Sequence, residues 1–108
     1  AHPRVRILGA QTERTNAMAV ALAAGHLVPI PSLPTLADGL AGQIDDDALA
    51  IGRYGLDGLA VLTEDETAAA IRWLWENEGV RAEGSGAVTV GAVLAGKAEA
   101  IAFPAVCV

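Results

Sequence analysis

Three short apolar runs, at residues 5–10, 59–62 and 100–108, constrain this chain more than any other feature of it. Each is too short and too evenly apolar for a strand with one wet face. Runs of that kind belong to parallel strands covered on both sides. Residues 16–24 supply a helix after the first run, with Ala17, Val20, Ala21 and Ala24 at i, i+3, i+4 and i+7. Gly25 follows where a C-cap glycine belongs. Strand, short loop and helix in that order open a βαβ unit. The expected fold is therefore α/β, three layers with a short parallel sheet.

The stretches between the runs fit this plan. Prolines 29, 31 and 34 make residues 27–34 an extended connector, because proline lacks a ladder donor and breaks helices. Residues 35–44 read as a loop or short helical turn, and Asp45-Asp46-Asp47 offers the cap and first-turn acids of a helix to about Tyr54. Thr63-Glu64-Asp65-Glu66 is a capping box directly after the second run. It opens a helix to about Asn77 with Ala68, Ile71, Leu74 and Trp75 as its apolar stripe, and Trp73 aimed at a second surface. Gly79 ends that helix. Glu83-Gly84-Ser85-Gly86 starts another, apolar all round and built of small residues, which predicts tight burial to about Ala95.

Composition excludes several function classes. The chain has 108 residues, is 53% hydrophobic and carries a net charge of −6. That charge, with no basic patch, argues against nucleic acid. The apolar runs are far below the ~18–20 residues of a membrane span, and no signal peptide is visible, so no membrane is expected. Cys107 is the single cysteine and reads as a small core residue; a chain without an internal disulfide fits a cytoplasmic location. His2 and His26 with one cysteine make no zinc ligand set. A chain this short and this apolar is expected to have its faces covered by more chain or by a partner subunit, and homo-oligomers are the expected state.

Two places could carry chemistry. Asp38 lies between small residues in a glycine-bearing turn, where an Asx turn is the plain alternative. Glu83 precedes a helix whose first-turn amides and one carboxylate could line a small-molecule pocket; capping by Glu83 or Ser85 is the plain alternative.

These segments resemble a known family. Pro34-Thr35-Leu36-Ala37-Asp38-Gly39-Leu40-Ala41 is similar to the P-T-[IL]-A-D-G-L-A stretch of threonine/serine dehydratases and serine racemases, which are pyridoxal-phosphate (PLP) enzymes of the tryptophan-synthase-β-like fold, fold type II. In register with it, Ile7 to Glu13 resembles that family's "IGVxxE", and Leu62 to Glu66 its "VSEEE" or "VTEDE". Ala82 to Ala87 resembles "VEGSGA" or "EPAGA", and Phe103 to Val108 the strand that leads into an S-G-G-N turn.

The resemblance implies that residues 1–108 are a piece of the PLP-binding large domain of a lyase. That lyase removes the α-proton and β-hydroxyl of L-threonine or L-serine, and the enamine formed hydrolyses to a 2-oxo acid and ammonia. It also implies that the Schiff-base lysine, in an S-x-K segment, a glycine-rich phosphate loop and the S-G-G-N turn lie elsewhere. Lys97 is the only lysine here, so no catalytic residue is expected in this chain, which alone should be inactive and hold no PLP. By resemblance Gly39 brings backbone close to the cofactor, Asp38 shapes that turn, and Glu83 sits beside the ring and substrate. Some family members hold a divalent cation near the first strand. Gln11 and Ala17 stand here where those members use acidic ligands, so no metal is expected. A sibling racemase or threonine synthase activity, or a non-catalytic small-ligand-binding or interaction module on the same scaffold, are the competing readings.

Overall fold

The fold is seen in a computed structural model, which describes residues 5–99 and 101–108. Strand β1 spans Leu8–Thr12 and pairs in parallel with β2, Gly58–Leu62, in the register Leu8↔Gly58 to Thr12↔Leu62. Between them come α1 (Ala17–Ala24), a 3₁₀ turn (Asp38–Leu40) and α2 (Asp46–Gly55). Helices α3 (Glu64–Glu78) and α4 (Gly84–Leu94) follow β2.

Side-chain alternation along the strands sorts the layers. Leu8, Ala10, Ala60 and Leu62 point to one face, where they meet Val88 and Ala92 of α4 and the buried Ala37. Gly9 and Gln11 point to the other, where Gly9 lies against Leu56 and the Gln11 amide oxygen accepts the Ala19 N–H of α1 at 3.1 Å. That bond serves as the helix cap, because the Asn16 side chain makes none. The α/β layering expected from the sequence is present: α3 and α4 on one side of a parallel sheet, α1 and α2 on the other.

Local signals place the helix ends where the sequence does. Asp45 accepts from the Ala48 N–H at 2.8 Å and so caps α2. Thr63 and Glu66 close both bonds of the capping box, at 3.1 and 2.8 Å. Gly25 and Gly79 end α1 and α3 with φ of 82° and 64°, the left-handed region that glycine enters without a Cβ penalty.

Several expectations are corrected. The first strand begins three residues later and ends two residues later than 5–10. Asp57 intercepts Ile7, bonding its N–H at 2.7 Å and its carbonyl at 2.8 Å, while Thr12 is enclosed by Thr15 and extends the strand into polar sequence. Nor are both faces of that strand sealed, since within it Thr12 alone is fully buried. Residues 101–108 form no strand. They run as an arm in which Val106 and Val108 are 89% and 100% exposed and Cys107 is exposed rather than in the core. Pro104 offers no ladder donor; the contact that holds the arm end is the Thr89 hydroxyl donating to the Val108 carbonyl at 3.1 Å. Between this arm, β1 and α4 lies an apolar groove of about 660 Å³ lined by Ile7, Leu8, Val93 and Ile101.

In α3 the fully buried residues are Thr67 and Ala70; Ala68, Ile71 and Leu74 of the expected stripe are half-buried, and Trp75 is exposed. A Cβ on Gly91 would stand 3.3 Å from the Ala70 Cβ, so the two helices touch through small residues and bulky Trp75 is turned out. Trp75 is 53% exposed and stacks under the Arg81 guanidinium, 5.3 Å from its ring centroid. Trp73 is 36% exposed, less than Trp75. Helix α4 buries Gly84, Ala87, Val88, Gly91 and Ala92 but leaves Leu94 exposed, so it is covered on one side rather than all round.

Lys97 ties the ends of three elements together. Its ammonium donates to the Val61 carbonyl at 2.8 Å and to the Glu66 carboxylate at 2.6 Å. That ammonium, foremost, and the Thr63 N–H hold the Glu66 carboxyl below the ordinary carboxylate range. A depressed folded-state pKa stabilises fully above the unfolded value of about 4.3 and is lost as pH falls through the lower folded value. Acidification through that interval should lower Tm, and Glu66→Gln should remove this part of the decline. Melts followed by circular dichroism across roughly pH 6 to 3 test it. Parallel profiles for the two proteins would show that the pair contributes nothing.

Candidate functional site

The site is built where the proline connector crosses the start of α4. Glu64, in the first turn of α3, fixes the connector by accepting from the Thr35 hydroxyl at 2.9 Å and the Leu36 N–H at 2.8 Å. Thr35 in turn accepts the Ala37 N–H at 3.0 Å, and the Arg14 guanidinium donates to the Pro34 carbonyl at 2.7 Å. Ala37 then drops into the core with no exposure. The chain reverses immediately after it, through bonds from the Leu40 N–H to the Ala37 carbonyl and from the Ala41 N–H to the Asp38 carbonyl.

This turn lies on the first residues of α4. A Cβ on Gly84 would stand 1.8 Å from the Leu36 carbonyl oxygen, so backbone rests on backbone there. A Cβ on Gly39 would stand 2.7 Å from the Ser85 hydroxyl oxygen and 3.2 Å from its Cβ. Only a glycine fits at position 84, whereas a side chain at position 39 would have to displace the Ser85 side chain. Asp38 and Gly39 are exposed. The structure thus brings together the two segments singled out in the sequence, 45 positions apart from Asp38 to Glu83.

Glu83 caps α4 with both carboxylate oxygens, accepting the Ser85 N–H at 2.9 Å and the Gly86 N–H at 2.5 Å. The amides expected to lie open at that helix start are therefore taken by Glu83 itself. Its carboxylate is fixed in place while the residue remains exposed. Sequence reasoning misses two participants. Glu64 is visible there only as part of the capping motif, although it anchors the connector. Ser85 reads only as a cap, yet its hydroxyl is buried without a hydrogen-bond partner among the described residues.

Lys97 belongs to a different place. It follows the far end of α4, roughly 16 Å along the helix from Glu83, and both oxygens that hold it belong to the β2 end and α3. No group of three or more His, Cys, Asp or Glu side chains is gathered among the described residues. No helix among them is long and apolar enough to cross a membrane.

The arrangement suits a flat polar cofactor as far as this chain's own residues go. Side-chain-free backbone is presented at Gly39 against Ser85, a fixed carboxylate caps the helix that carries Ser85, and a buried hydroxyl lacks a partner. The chain resembles known proteins over most of its length. The chain is 38% identical over 94 residues to an L-threonine ammonia-lyase of Thermotoga maritima, covering 86% of this chain and 23% of that protein. It is 34% identical over 108 residues to an L-threonine ammonia-lyase of Geobacter sulfurreducens, covering 99% and 27%. The chain thus spans about a quarter of the length of these relatives. Its fold superposes on maize serine racemase with a TM-score of 0.80 and 31% identity, covering 86% of this chain and 28% of that one. The processed form of threonine deaminase isoform 2 from Solanum lycopersicum gives 0.75 and 27%, covering 82% and 26%. The family pattern described as pyridoxal-phosphate dependent enzyme matches residues 1–107, and the chain belongs to that family.

Proposed function

We propose that this chain is part of the PLP-binding large domain of a lyase that converts L-threonine or L-serine to a 2-oxo acid and ammonia. One observation supports the reading: the Asp38–Leu40 turn is seated on the start of α4, the helix that Glu83 caps. The names of the two ammonia-lyase relatives support the choice of reaction. PLP, when bound, supplies the electron sink that stabilises the negative charge left at the substrate's Cα. This chain's residues do the rest of the site's work. Gly39 lets the ligand approach backbone closely, and Asp38 starts the turn that presents it. Glu83, fixed by two backbone amides, is a carboxylate that can hold a protonated nitrogen in place without moving.

The lysine that bonds the cofactor and the loop that binds its phosphate are assigned to other parts of the parent protein. Lys97 is excluded from that role by its place, at the end of α4 remote from Glu83, and by its two oxygen partners. The isolated chain is therefore inactive in this reading. Incubating it with PLP and L-threonine or L-serine should yield no 2-oxo acid above the rate of free PLP. Production of 2-oxo acid, or an absorbance from PLP bonded to Lys97, would show that the machinery is present here after all. The likeness to maize serine racemase favours one alternative, a racemase parent using the same site. The full catalytic chain separates the two, since a racemase yields the D-amino acid. The parent is read as a cytoplasmic homo-oligomer, with the apolar groove and exposed Ile51 and Tyr54 in support of covered faces.

A further inference from the structure

We infer that Glu64 is a positioning residue of this site, which sets where the Asp38–Leu40 turn stands against the cofactor without touching the cofactor itself. The inference rests on the function proposed above.

Both parallel strands deliver side chains to the connector. Glu13 and Arg14 follow the carboxyl end of β1, and Glu64 follows that of β2. In α/β sheets this is the edge at which ligands bind. The Glu13 carboxylate accepts the Glu64 N–H at 3.2 Å, and the Glu13 N–H donates to the Leu62 carbonyl at 2.7 Å, so the two strand ends are clasped to each other. From that clasp three successive connector residues are held, Pro34 through Arg14, and Thr35 and Leu36 through Glu64.

The half-buried Glu64 carboxylate is free for this because α3 does not need it. Thr63 and Glu66 already cap that helix, and Asp65 and Glu66 leave acids in its first turn. One Glu64 oxygen takes the Thr35 hydroxyl and the other the Leu36 N–H. Two bonds to one planar group fix direction as well as distance. Thr35 passes the hold on, since the same hydroxyl oxygen accepts the Ala37 N–H. Beyond Ala37 the turn is exposed, and its backbone bonds among the described residues close on Ala37 and Asp38. The Ser85 hydroxyl against Gly39 makes no hydrogen bond among these residues that would fix the turn from below. Slack at Thr35 and Leu36 is therefore carried to Gly39. A misplacement of about 1 Å can cost on the order of 100-fold in rate.

The test uses the full catalytic chain carrying these residues, saturated with PLP and held well below its melting temperature. Glu64→Ala should lower kcat on L-threonine or L-serine roughly 10- to 100-fold and change the visible circular dichroism of the bound cofactor. Glu64→Gln keeps an acceptor for the Leu36 N–H and gains an amide that can donate to the Thr35 oxygen, so it should recover most of kcat and restore the spectrum. Thr35→Val removes the hydroxyl at nearly constant size and should reproduce both losses, which keeps the test decisive if Glu64→Ala does not fold. A Glu64→Ala protein that melts lower yet keeps kcat and the cofactor spectrum would show a purely structural clasp and overturn the inference. So would a Glu64→Gln protein as impaired as Glu64→Ala, or a Thr35→Val protein with wild-type kcat and spectrum. If the wild-type full chain bound no PLP, the proposed function would fall and this inference with it.

Discussion

Gly84→Ala should abolish cooperative unfolding of the chain, or lower its stability by at least ~3 kcal/mol out of the ~5–15 kcal/mol that domains of this size possess. Helix propensity alone predicts the opposite sign, since alanine is favoured over glycine inside a helix by roughly 1 kcal/mol. Packing decides, because the new Cβ would lie 1.8 Å from the Leu36 carbonyl oxygen, 2.3 Å from its carbon and 2.9 Å from the Ala37 nitrogen. These are backbone atoms and cannot swing aside. The connector would have to lift off α4, taking the buried Ala37 out of the core and breaking its hold on Glu64. Urea titration followed at 222 nm measures the effect. Gly55→Ala is the control: a Cβ there meets nothing within 4 Å, and the change should be within ~0.5 kcal/mol of neutral or slightly stabilising. Equal effects for the two substitutions would show that the connector does not rest on α4.

Leu62→Ala should cost about 3 kcal/mol, in the middle of the ~2–5 kcal/mol range for truncating a fully buried leucine. Leu62 has no exposure and is among the largest fully buried side chains described. Its neighbour makes the test sharper. A Cβ on Gly91 would stand 2.5 Å from Leu62 Cδ2, so Gly91→Ala alone overpacks the same spot and should cost ~1–3 kcal/mol. In the double variant the added methyl enters space that the leucine has left. The two losses should then sum to less than their separate values, with a coupling of the order of 1 kcal/mol. Simple additivity would mean that α4 does not press on β2 at this point.

The sequence is most legible where a local device settles the structure alone. Thr63 to Glu66, Asp45, Gly25 and Gly79 each satisfy or terminate backbone hydrogen bonds within a few residues, so their roles follow from residue type and spacing. The motif at Pro34 to Ala41 marks the candidate site, and Ala82 to Ala87 supplies the helix start on which that turn rests. What is not legible depends on distant partners. The stripe of α3 is misread from sequence because Trp75 looks like a core residue until Gly91 brings the helices too close for it. The run at 100–108 has the composition of a buried strand, but composition does not supply a neighbouring ladder. Ser85 is unremarkable in sequence, because a missing partner is a property of its surroundings.

The contact between Lys97 and Val61 bears on how the molecule meets other copies of itself. The Leu62 carbonyl accepts the Glu13 N–H on the β1 side. By strand alternation the Val61 carbonyl therefore faces away from β1, along a border of the sheet that carries no further strand among the described residues. Open borders invite a foreign strand to add itself and seed aggregation, and proteins commonly guard them with charge. Here the guard is a lysine that does not belong to the strand. It reaches in from beyond α4 and is held by a carboxylate that also caps α3. An intruding chain would have to strip a charged group from two oxygens and loosen a helix before forming its first bond at Val61.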